Sequence, residues 1–590
     1  MPKIPRRLRA VLGRGMTRTA QAVQRVGRGL SRPAPAIVLL VLFMAKFFID
    51  GEVAIDFGAH WDEWYHVSGL LSCVRRMSLM PDSLSYGGPY FTLGYPVMLA
   101  HLWRNLLPVL HEFKTQSGYA DPMAFASVQD LKTAANGLLG TGMYVLQIRG
   151  LFLAVTGLSI LWTFLASLRM WPRRYGAALA GAAFMAFSWE FGYHARWIAI
   201  DTPLTQFAAL ELFLFCGTWC ALTEVAVWRW FCLAAAASGA VFACKLTGGF
   251  AYLPILVTPF TLRGIRRVRT RFLMAVVGAA LFFVTSFALS PEFYVDPLHF
   301  LHVIRSGTAD YNSVGPGYPF YVGVTEHLLR LQGWLFVSFP SPFHPIAVVF
   351  SMLTVVGLVV LLRRHTRMTL TWMIYLVSFI AVFTHNHLLI VRQYLMCTPL
   401  FALCFAAGAS WVWDRLQARD QRLGAALTLL LAAGFTANGV FESVQAWHVV
   451  TDTQESIDVE ASHDLLSHPA PVRMSQPVFD RMRPRIGDAY TCKLADVKDK
   501  RIHHFIAYQT EHGWLTNRID SFRKVYGAHE VNMDYYSSWS GKTLSFRFVD
   551  VSMDVVTALG RSMVNDIDCF PTGKKGPPAA NRGAGGAGPH

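Results

Sequence analysis

Two adjacent carboxylates lie among aromatic residues and histidines in the segment "AHWDEWYHV", shortly after the first long apolar run. Asp62 could act there as a general base that takes a proton from an acceptor hydroxyl. It is also suited to cap a helix, because apolar residues recur at helical spacing from Val67 onward. The two roles are compatible. Glu63 could bind the acceptor, tune Asp62 or only occupy the first helical turn, and Tyr65 and His66 are candidate substrate contacts.

Four cationic residues stand at positions that the apolar pattern places at the outer ends of membrane spans: Arg149, Arg196, Lys245 and Arg392. A single cation at such a boundary usually extends its charge to water. Four cations on different helices could instead converge and form a pocket for an anion. Because Arg offers a planar fork and Lys a point charge, the pocket would suit phosphate. We therefore expect the four residues to hold the phosphate of a lipid-linked donor.

Further polar residues flank these positions. Asp201, in "HARWIAIDTPLTQF", could cap the next span, pair with Arg196 or contact substrate. Tyr318, in a loop rich in Gly and Pro, could line an acceptor cleft or belong to an interfacial aromatic belt. His385 and His387, in "HNH", could bind a divalent metal, but hydrogen bonding or substrate contact is the more common role of interfacial histidines. No metal site is therefore predicted.

The elements that must position these residues are membrane helices. The chain has 590 residues, of which 53% are hydrophobic and only 15% charged, and its mean hydropathy is +0.35. Apolar runs recur that are long enough to cross a hydrocarbon core of about 30 Å. These features predict an all-α polytopic membrane protein and exclude an ordinary soluble one.

The basic residues predict how the helices are threaded, because Lys and Arg concentrate on the cytoplasmic side. Nine Lys or Arg residues fall in positions 1–32, so the net charge of +16 indicates a cytoplasmic anchor on anionic lipid and not nucleic-acid binding. About eleven spans then place every strongly basic cluster on one side. They are predicted near 35–55, 146–168, 175–192, 201–221, 229–244, 249–262, 272–290, 344–362, 369–384, 393–413 and 423–440.

This threading predicts four parts of the chain. They are a basic cytoplasmic segment at 1–34, a transmembrane domain at 35–440 with a large first outer loop at 56–145, an extracytoplasmic domain at 441–570, and a disordered tail at 571–590. The segment "KTLSFRFVDVSM" alternates like a strand, so the extracytoplasmic domain should be a small α/β domain. Cys492 and Cys569 fall within it and could form a disulfide outside the cytoplasm.

Four motifs in this order resemble the GT-C superfamily of polyprenyl-phosphate-sugar glycosyltransferases, in particular the protein O-mannosyltransferases and the lipid A aminoarabinose transferases. The motifs are "WDEWYH" after the first span, "GGPYFTLGYP" later in the outer loop, "QIRGLFLAVTGL" opening the second span, and "YHARWIAIDTPLTQFAALEL" followed by "CKLTGGFAYLP". The resemblance covers about 40–300, and 385–413 resembles a later span of the family.

The resemblance implies a GT-C-like fold in the cytoplasmic (inner) membrane and an inverting sugar transfer on its outer face. The donor would be a polyprenyl-phosphate sugar, and the acceptor a protein, lipid or glycan of the cell envelope. Asp62 would be the catalytic carboxylate, with Arg149, Lys245 and Arg392 facing the donor phosphate. No certain cofactor is implied, and the sugar and the acceptor are not identified.

Two other functions would use similar residues. An oligosaccharide transferase or ligase on the same scaffold would take a larger donor. A transporter or flippase for lipid-linked sugars would use the cations without a base, and it would need charges along a path through the spans. The span interiors carry almost none, which favours the transferase.

Overall fold

The computed structural model describes a large part of the 590-residue chain. The described residues are 32–53, 55, 66–67, 69–70, 72, 96–97, 99–100, 103–104, 143–196, 198–298, 301–302, 304–306, 309, 323–386, 391–451, 462, 465–467, 469–474, 476–494, 504–508, 530–534, 545–549 and 567–573. By its internal contacts the chain divides into two compact units, and the second takes in everything from His448 onward. The predicted segments 1–31, most of 56–142 and 574–590 lie outside the described residues.

The first unit is built from helices, because a chain in hydrocarbon must satisfy its own backbone hydrogen bonds. The helices are α1 (Pro33–Val53), α2 (Met143–Met170), α3 (Tyr175–Ala186), α4 (Trp189–Ala195), α5 (Asp201–Trp219), α6 (Glu224–Cys244), α7 (Tyr252–Thr261), α8 (Val268–Leu289), α9 (Glu292–Val295), α10 (Val324–Gly333), α11 (His344–Arg364), α12 (Thr366–Phe383), α13 (Thr398–Arg419) and α14 (Gln421–Thr451). Short 3-10 segments, Leu246–Ala251 and Val391–Cys397, precede α7 and α13.

Each of the eleven predicted spans overlaps at least one of these helices. Within the described residues, seven helices are long and apolar enough to cross a membrane. They are α2, α6, α8, α11, α12, the helix that includes α13, and α14. The predicted all-α polytopic class is therefore confirmed. The chain is a multi-pass membrane protein, whereas its orientation and the choice of membrane stay predictions.

The third predicted span differs from the expectation, since it ends early. Helix α3 stops at Ala186, and Ser188 begins α4 by accepting a hydrogen bond from the Phe191 amide at 3.4 Å. Asn438 of α14 stabilises the break, because its amide nitrogen donates to the Phe187 carbonyl at 3.1 Å and to the Pro340 carbonyl at 2.9 Å. The interruption redirects the chain just before Asp201.

The second unit contains a six-stranded sheet, which confirms the predicted α/β character. Its strands are β1 (Val472–Met474), β2 (Tyr490–Leu494), β3 (His504–Tyr508), β4 (Glu530–Asp534), β5 (Ser545–Val549) and β6 (Ile567–Pro571), with α15 (Gln476–Ile486) between β1 and β2. The order is β2-β6-β1-β3-β5-β4. Only the β1–β3 pair is parallel among the described pairs. Strand β5 lies within the segment whose alternation predicted a strand.

One covalent and one ionic link join β6 to its two neighbouring strands. Cys492 and Cys569 face each other across the antiparallel β2–β6 pair and form a disulfide. Arg473 of β1 and Asp568 of β6 are both fully buried and form a two-pronged ion pair, with Nε–Oδ1 at 2.6 Å and Nη2–Oδ2 at 2.9 Å. Such a paired fork satisfies both charges in an apolar surrounding.

Candidate active site

Asp201 is the centre of a buried ionic cluster at the start of α5. Its carboxylate is almost fully buried and contacts two cations from other parts of the chain. Lys245 Nζ donates to Oδ1 at 2.9 Å. Arg392 Nε lies 3.2 Å from Oδ2. The structure thus brings together three of the residues singled out in the sequence, with two cations against one carboxylate.

The ends of helices place these side chains. Lys245 directly follows α6 in an extended conformation, with φ −161° and ψ 142°, and so projects from the helix end. Arg392 belongs to the 3-10 segment that leads into α13. Asp201 is the first residue of α5, where a negative charge is favoured by the helix dipole. Three separate helix termini therefore meet at one end of the bundle.

His66 joins this cluster from the segment that follows Asp62 and Glu63. Its side chain is buried, and burial together with the nearby cations Arg392 and Lys245 lowers its pKa to about 3, while Asp201 acts in the opposite sense. The imidazole is consequently neutral at physiological pH. His194 of α4 also interacts electrostatically with Asp201.

Arg149 and Arg196 are buried as well. The Arg149 side chain is fully buried near the start of α2, and Nη1 donates to the Ile55 carbonyl at 2.6 Å. This bond ties α2 to the chain just beyond α1. Arg196 follows α4 as its C-terminal capping residue and is 8% exposed. Asp201 pairs with Lys245 and Arg392, so the sequence-based alternative of an Asp201–Arg196 pair is not the contact that forms the cluster.

The other predicted site residues divide into two groups. His385 is exposed just after α12, and its Nδ1 lies 2.6 Å from the Ala381 carbonyl, a hydrogen bond within its own helix end. Five predicted residues lie outside the described part of the chain: Asp62, Glu63, Tyr65, Tyr318 and His387. Among the described residues, no group of three or more His, Cys, Asp or Glu side chains is arranged to hold a metal ion.

A histidine–tyrosine pair near Arg392 was missed in the sequence. His327 of α10 and Tyr394 are buried, with Nε2 and the hydroxyl oxygen 2.8 Å apart. Burial lowers the pKa of His327, so this imidazole is also favoured in its neutral form. Tyr394 stands two residues after Arg392 in the same 3-10 segment, and the pair therefore helps to fix that segment. His327 and Tyr394 are 67 residues apart in the sequence, so their contact could not be predicted from it.

Glu211 was missed too. It lies in the interior of α5, is fully buried, and neither carboxylate oxygen has a hydrogen-bond partner among the described residues. An ionisable residue at membrane depth is unusual and marks a position worth testing. The signal was present in the sequence as one Glu within an apolar run, "AALELFLF".

Comparison with known proteins gives structural matches alone. No model of a protein family and no curated protein matches the chain. The crystal structure of ArnT from Cupriavidus metallidurans bound to undecaprenyl phosphate matches at 12% identity, over 88% of this chain and 98% of that chain, with a TM-score of 0.45. Its apo state matches at 12% identity, over 87% and 97%, with a TM-score of 0.40.

An oligosaccharyltransferase from Archaeoglobus fulgidus in its apo form matches at 13% identity, over 70% of this chain and 56% of that chain, with a TM-score of 0.43. Both proteins are members of the GT-C superfamily, which the sequence motifs resemble. Since all three TM-scores lie below 0.5, the matches assign no role to any residue. The role of each residue is taken from the geometry of this chain.

Proposed function

We propose that the chain is a membrane glycosyltransferase that moves a sugar from a polyprenyl-phosphate donor to an acceptor on the extracytoplasmic face, with inversion at the sugar carbon. Asp62 is the proposed base. Lys245 and Arg392, assisted by Arg149 and Arg196, are the proposed partners of the donor phosphate. Glu63, Tyr65, His66, Asp201, Tyr318, His385 and His387 are proposed to contact substrate or to position these groups.

The observation that carries this proposal is the convergence of Lys245 and Arg392 on Asp201. Two cations from different helix ends converge on one carboxylate in a site that is nearly closed to water. Because charge interactions are strong where water is excluded, two cations at this position can stabilise an incoming phosphate. A phosphate group can share the two cations with Asp201 or displace it from one of them.

The position of His66 supports the assignment of Asp62 as the base of this site. Asp62 stands four residues before His66, and an extended chain spans at most about 3.6 Å per residue. Chain connectivity therefore keeps the Cα atom of Asp62 within about 14 Å of the Cα atom of His66, whose side chain interacts with the cluster. Base and phosphate partners are thus linked by a short segment.

The proposed chemistry needs only these groups. Asp62 takes the proton of the acceptor hydroxyl while the oxygen forms a bond to the sugar carbon. The bond between that carbon and the phosphate oxygen breaks on the opposite face, which inverts the carbon. Negative charge develops on the departing lipid phosphate, and Lys245 and Arg392 stabilise it there.

Replacing the base tests the proposal directly. Asp62→Asn should keep the thermal stability of the purified protein but abolish transfer from a panel of polyprenyl-phosphate monosaccharides, as followed by mass analysis of the products. Asp56→Asn is the matched control, because Asp56 is a second carboxylate of the same segment, and it should retain activity. Full transfer by Asp62→Asn would show that another group is the base.

Replacing one of the proposed phosphate-binding residues tests the phosphate site. Lys245→Gln should raise the KM for the lipid donor roughly tenfold or more while the acceptor KM stays the same, because one charge-assisted contact is lost. Unchanged donor KM in both Lys245→Gln and Arg392→Gln would remove the phosphate site from this cluster.

One observation bears on the transporter alternative, which requires charge within the spans. Glu211 supplies one such carboxyl group in α5. If the chain is a transferase, Glu211→Gln should leave the transfer rate in detergent within about twofold of wild type. Movement of a lipid-linked sugar across vesicles by the wild-type chain, lost in Glu211→Gln, would instead support a flippase.

A further inference from the structure

A cavity of about 360 Å³ opens at the end of the bundle opposite to Asp201. Residues at the end of α5, the turn after α7 and the connection between α11 and α12 line it. Asp201 begins α5 and Trp219, which lines the cavity, ends it. At 1.5 Å per residue the two residues are about 27 Å apart along the helix. The cavity is therefore separate from the proposed active site.

The lining of this cavity is strongly basic. Arg263, Arg364 and Arg367 all contribute to it, and no Asp or Glu is among its lining residues. In the described part of the chain, none of the three guanidinium groups is in an ion pair with a carboxylate; the exposed Arg174, by contrast, pairs with Asp414. Three positive charges thus surround a space of ligand size without a counter-charge.

A helix terminus adds to the positive potential. Helix α12 begins at Thr366, in the cavity lining, and the side chain of its N-cap residue His365 makes no capping hydrogen bond. The first amide groups of a helix have no partner within it, and they favour an anion together with the helix dipole. Amide groups and arginine forks are the combination that proteins use for phosphate.

Exposed apolar side chains lie on α7 and α8, which flank the turn after α7, and on α12 beyond its start. Phe260, Phe272 and Leu370 are each between 43% and 59% exposed. Phe260 precedes Arg263 by three residues and packs edge-on against Phe272, with ring centroids 5.5 Å apart. Leu370 follows Arg367 by three residues. An anionic head group with acyl chains matches this arrangement better than a soluble anion does.

We propose that this cavity binds an anionic membrane phospholipid. Its phosphate would lie between Arg364, Arg367 and the start of α12, with Arg263 at the rim, and its acyl chains would run along Phe260, Phe272 and Leu370. Basic pockets between membrane helices commonly take head groups of this kind. The proposal is independent of the proposed catalytic function, because it concerns the opposite end of the bundle.

Native mass spectrometry of the full chain in detergent tests the site. Titration with phosphatidylglycerol should give a saturable one-to-one adduct, whereas phosphatidylcholine of the same chain length should bind at least tenfold more weakly. The double variant Arg364→Gln and Arg367→Gln should weaken phosphatidylglycerol binding at least tenfold. The matched control is Arg419→Gln with Arg422→Gln, two exposed basic residues at the α13–α14 junction on the same end of the bundle.

Three outcomes would overturn the proposal. Equal losses in the two double variants would show only a general attraction between basic residues and acidic lipid. Both lipids carry a phosphate, so equal binding would show that the cavity does not select a head group with net negative charge. Full displacement of the lipid by millimolar inorganic phosphate would indicate a soluble-anion site. If the double variant fails to fold, Leu370→Gln, which alters only the acyl-chain surface, should still weaken lipid binding.

Discussion

Asp201 holds two buried cations in place, so its charge affects both stability and ligand binding. Asp201→Asn removes the carboxylate that contacts both Lys245 and Arg392. Breaking a buried ion pair on one side costs roughly 3–5 kcal/mol, because the remaining charges stay buried. We expect a clear fall in the melting temperature of the purified variant.

A lipid phosphate should partly reverse this loss. If Lys245 and Arg392 bind phosphate, the variant offers it two cations without competition from Asp201. Adding a polyprenyl phosphate in detergent should therefore raise the melting temperature of Asp201→Asn by more than that of wild type. A polyprenyl alcohol without phosphate is the control and should not. Equal shifts with both lipids would contradict a phosphate site at Asp201.

His66 makes a second prediction at the residue scale, on pH. The folded-state pKa is about 3, against about 6.5 in the unfolded chain. Between these values the unfolded state binds the additional proton, so stability falls as the pH is lowered from about 6.5 toward 3. At pH 5 the loss from this one group would be about 2 kcal/mol.

The variant His66→Gln isolates this effect. It cannot bind a proton, so its melting temperature should change less than that of wild type between pH 7 and pH 5. His385→Gln is the matched control, because His385 is exposed and makes a local hydrogen bond. A wild-type profile as flat as that of His66→Gln would show that His66 is not held neutral.

Residue types in the sequence indicated much of the site, but not its internal contacts. Lys245 and Arg392 stood out because cations are uncommon at the outer ends of membrane spans, and Asp201 because it begins such a span close to Arg196. The pairing of Asp201 with Lys245 and Arg392, and not with the neighbouring Arg196, depends on how three helix ends meet. The distances between these helix ends cannot be read from a single sequence. Glu211 could be seen in the sequence as a charge within an apolar run, but its complete burial could not be predicted.

At the scale of elements, close packing of α11 on α13 is made by two glycines. A Cβ added to Gly357 would lie 1.7 Å from the Cys404 carbonyl oxygen, and one added to Gly408 would lie 1.9 Å from the Leu353 carbonyl oxygen. Both clashes are with backbone and cannot be relieved by a side-chain rotation. Small residues are the usual means by which membrane helices approach this closely.

Gly408→Ala should therefore separate the two helices and lower stability, by roughly 1–3 kcal/mol as for other overpacked sites. Gly176→Ala is the matched control, because nothing lies within 4 Å of the added carbon in α3. That change should be neutral or stabilising by up to about 1 kcal/mol. Melting temperatures of both variants in the same detergent make the comparison. Equal effects would contradict a close α11–α13 contact.

The helices were predictable because a helix that crosses the hydrocarbon core of a membrane needs a long run of apolar residues. Apolar runs separated by basic clusters indicated where the helices lie, and seven described helices are long and apolar enough to cross a membrane. The break after Ala186 was not predicted, since it depends on Asn438, which is far away in sequence and donates to the Phe187 carbonyl at the break. Strand β5 was indicated by alternation, whereas the order of the six strands was not, because the pairing is non-local.

For the whole molecule, the Cys492–Cys569 disulfide closes a loop with a sequence separation of 77 residues. By loop entropy, such a link stabilises the second unit by about 4 kcal/mol. The double variant Cys492→Ser and Cys569→Ser should therefore expose this unit to limited proteolysis at lower temperature than wild type. The helical unit should keep its melting temperature. Cys232→Ser, which changes a free cysteine of α6, is the control.

The same disulfide offers a test of membrane orientation. Structural disulfides form in oxidising compartments and are rare in the cytoplasm. The threading by basic residues predicts that the second unit is extracytoplasmic, so the bond should be present in living cells. A variant that retains Cys492 and Cys569 as its only cysteines makes the state of this pair readable.

Cells expressing that variant would be quenched in acid and treated with a maleimide-linked polymer, before and after reduction. We expect no gel shift before reduction and a shift by two polymers after it. Cys492→Ser in the same background is the control, and it should shift by one polymer without reduction because Cys569 has lost its partner. Two reactive thiols in unreduced cells would place the unit in the cytoplasm. The predicted threading would then have to be inverted, and the Asp201 cluster would lie on the inner face of the membrane.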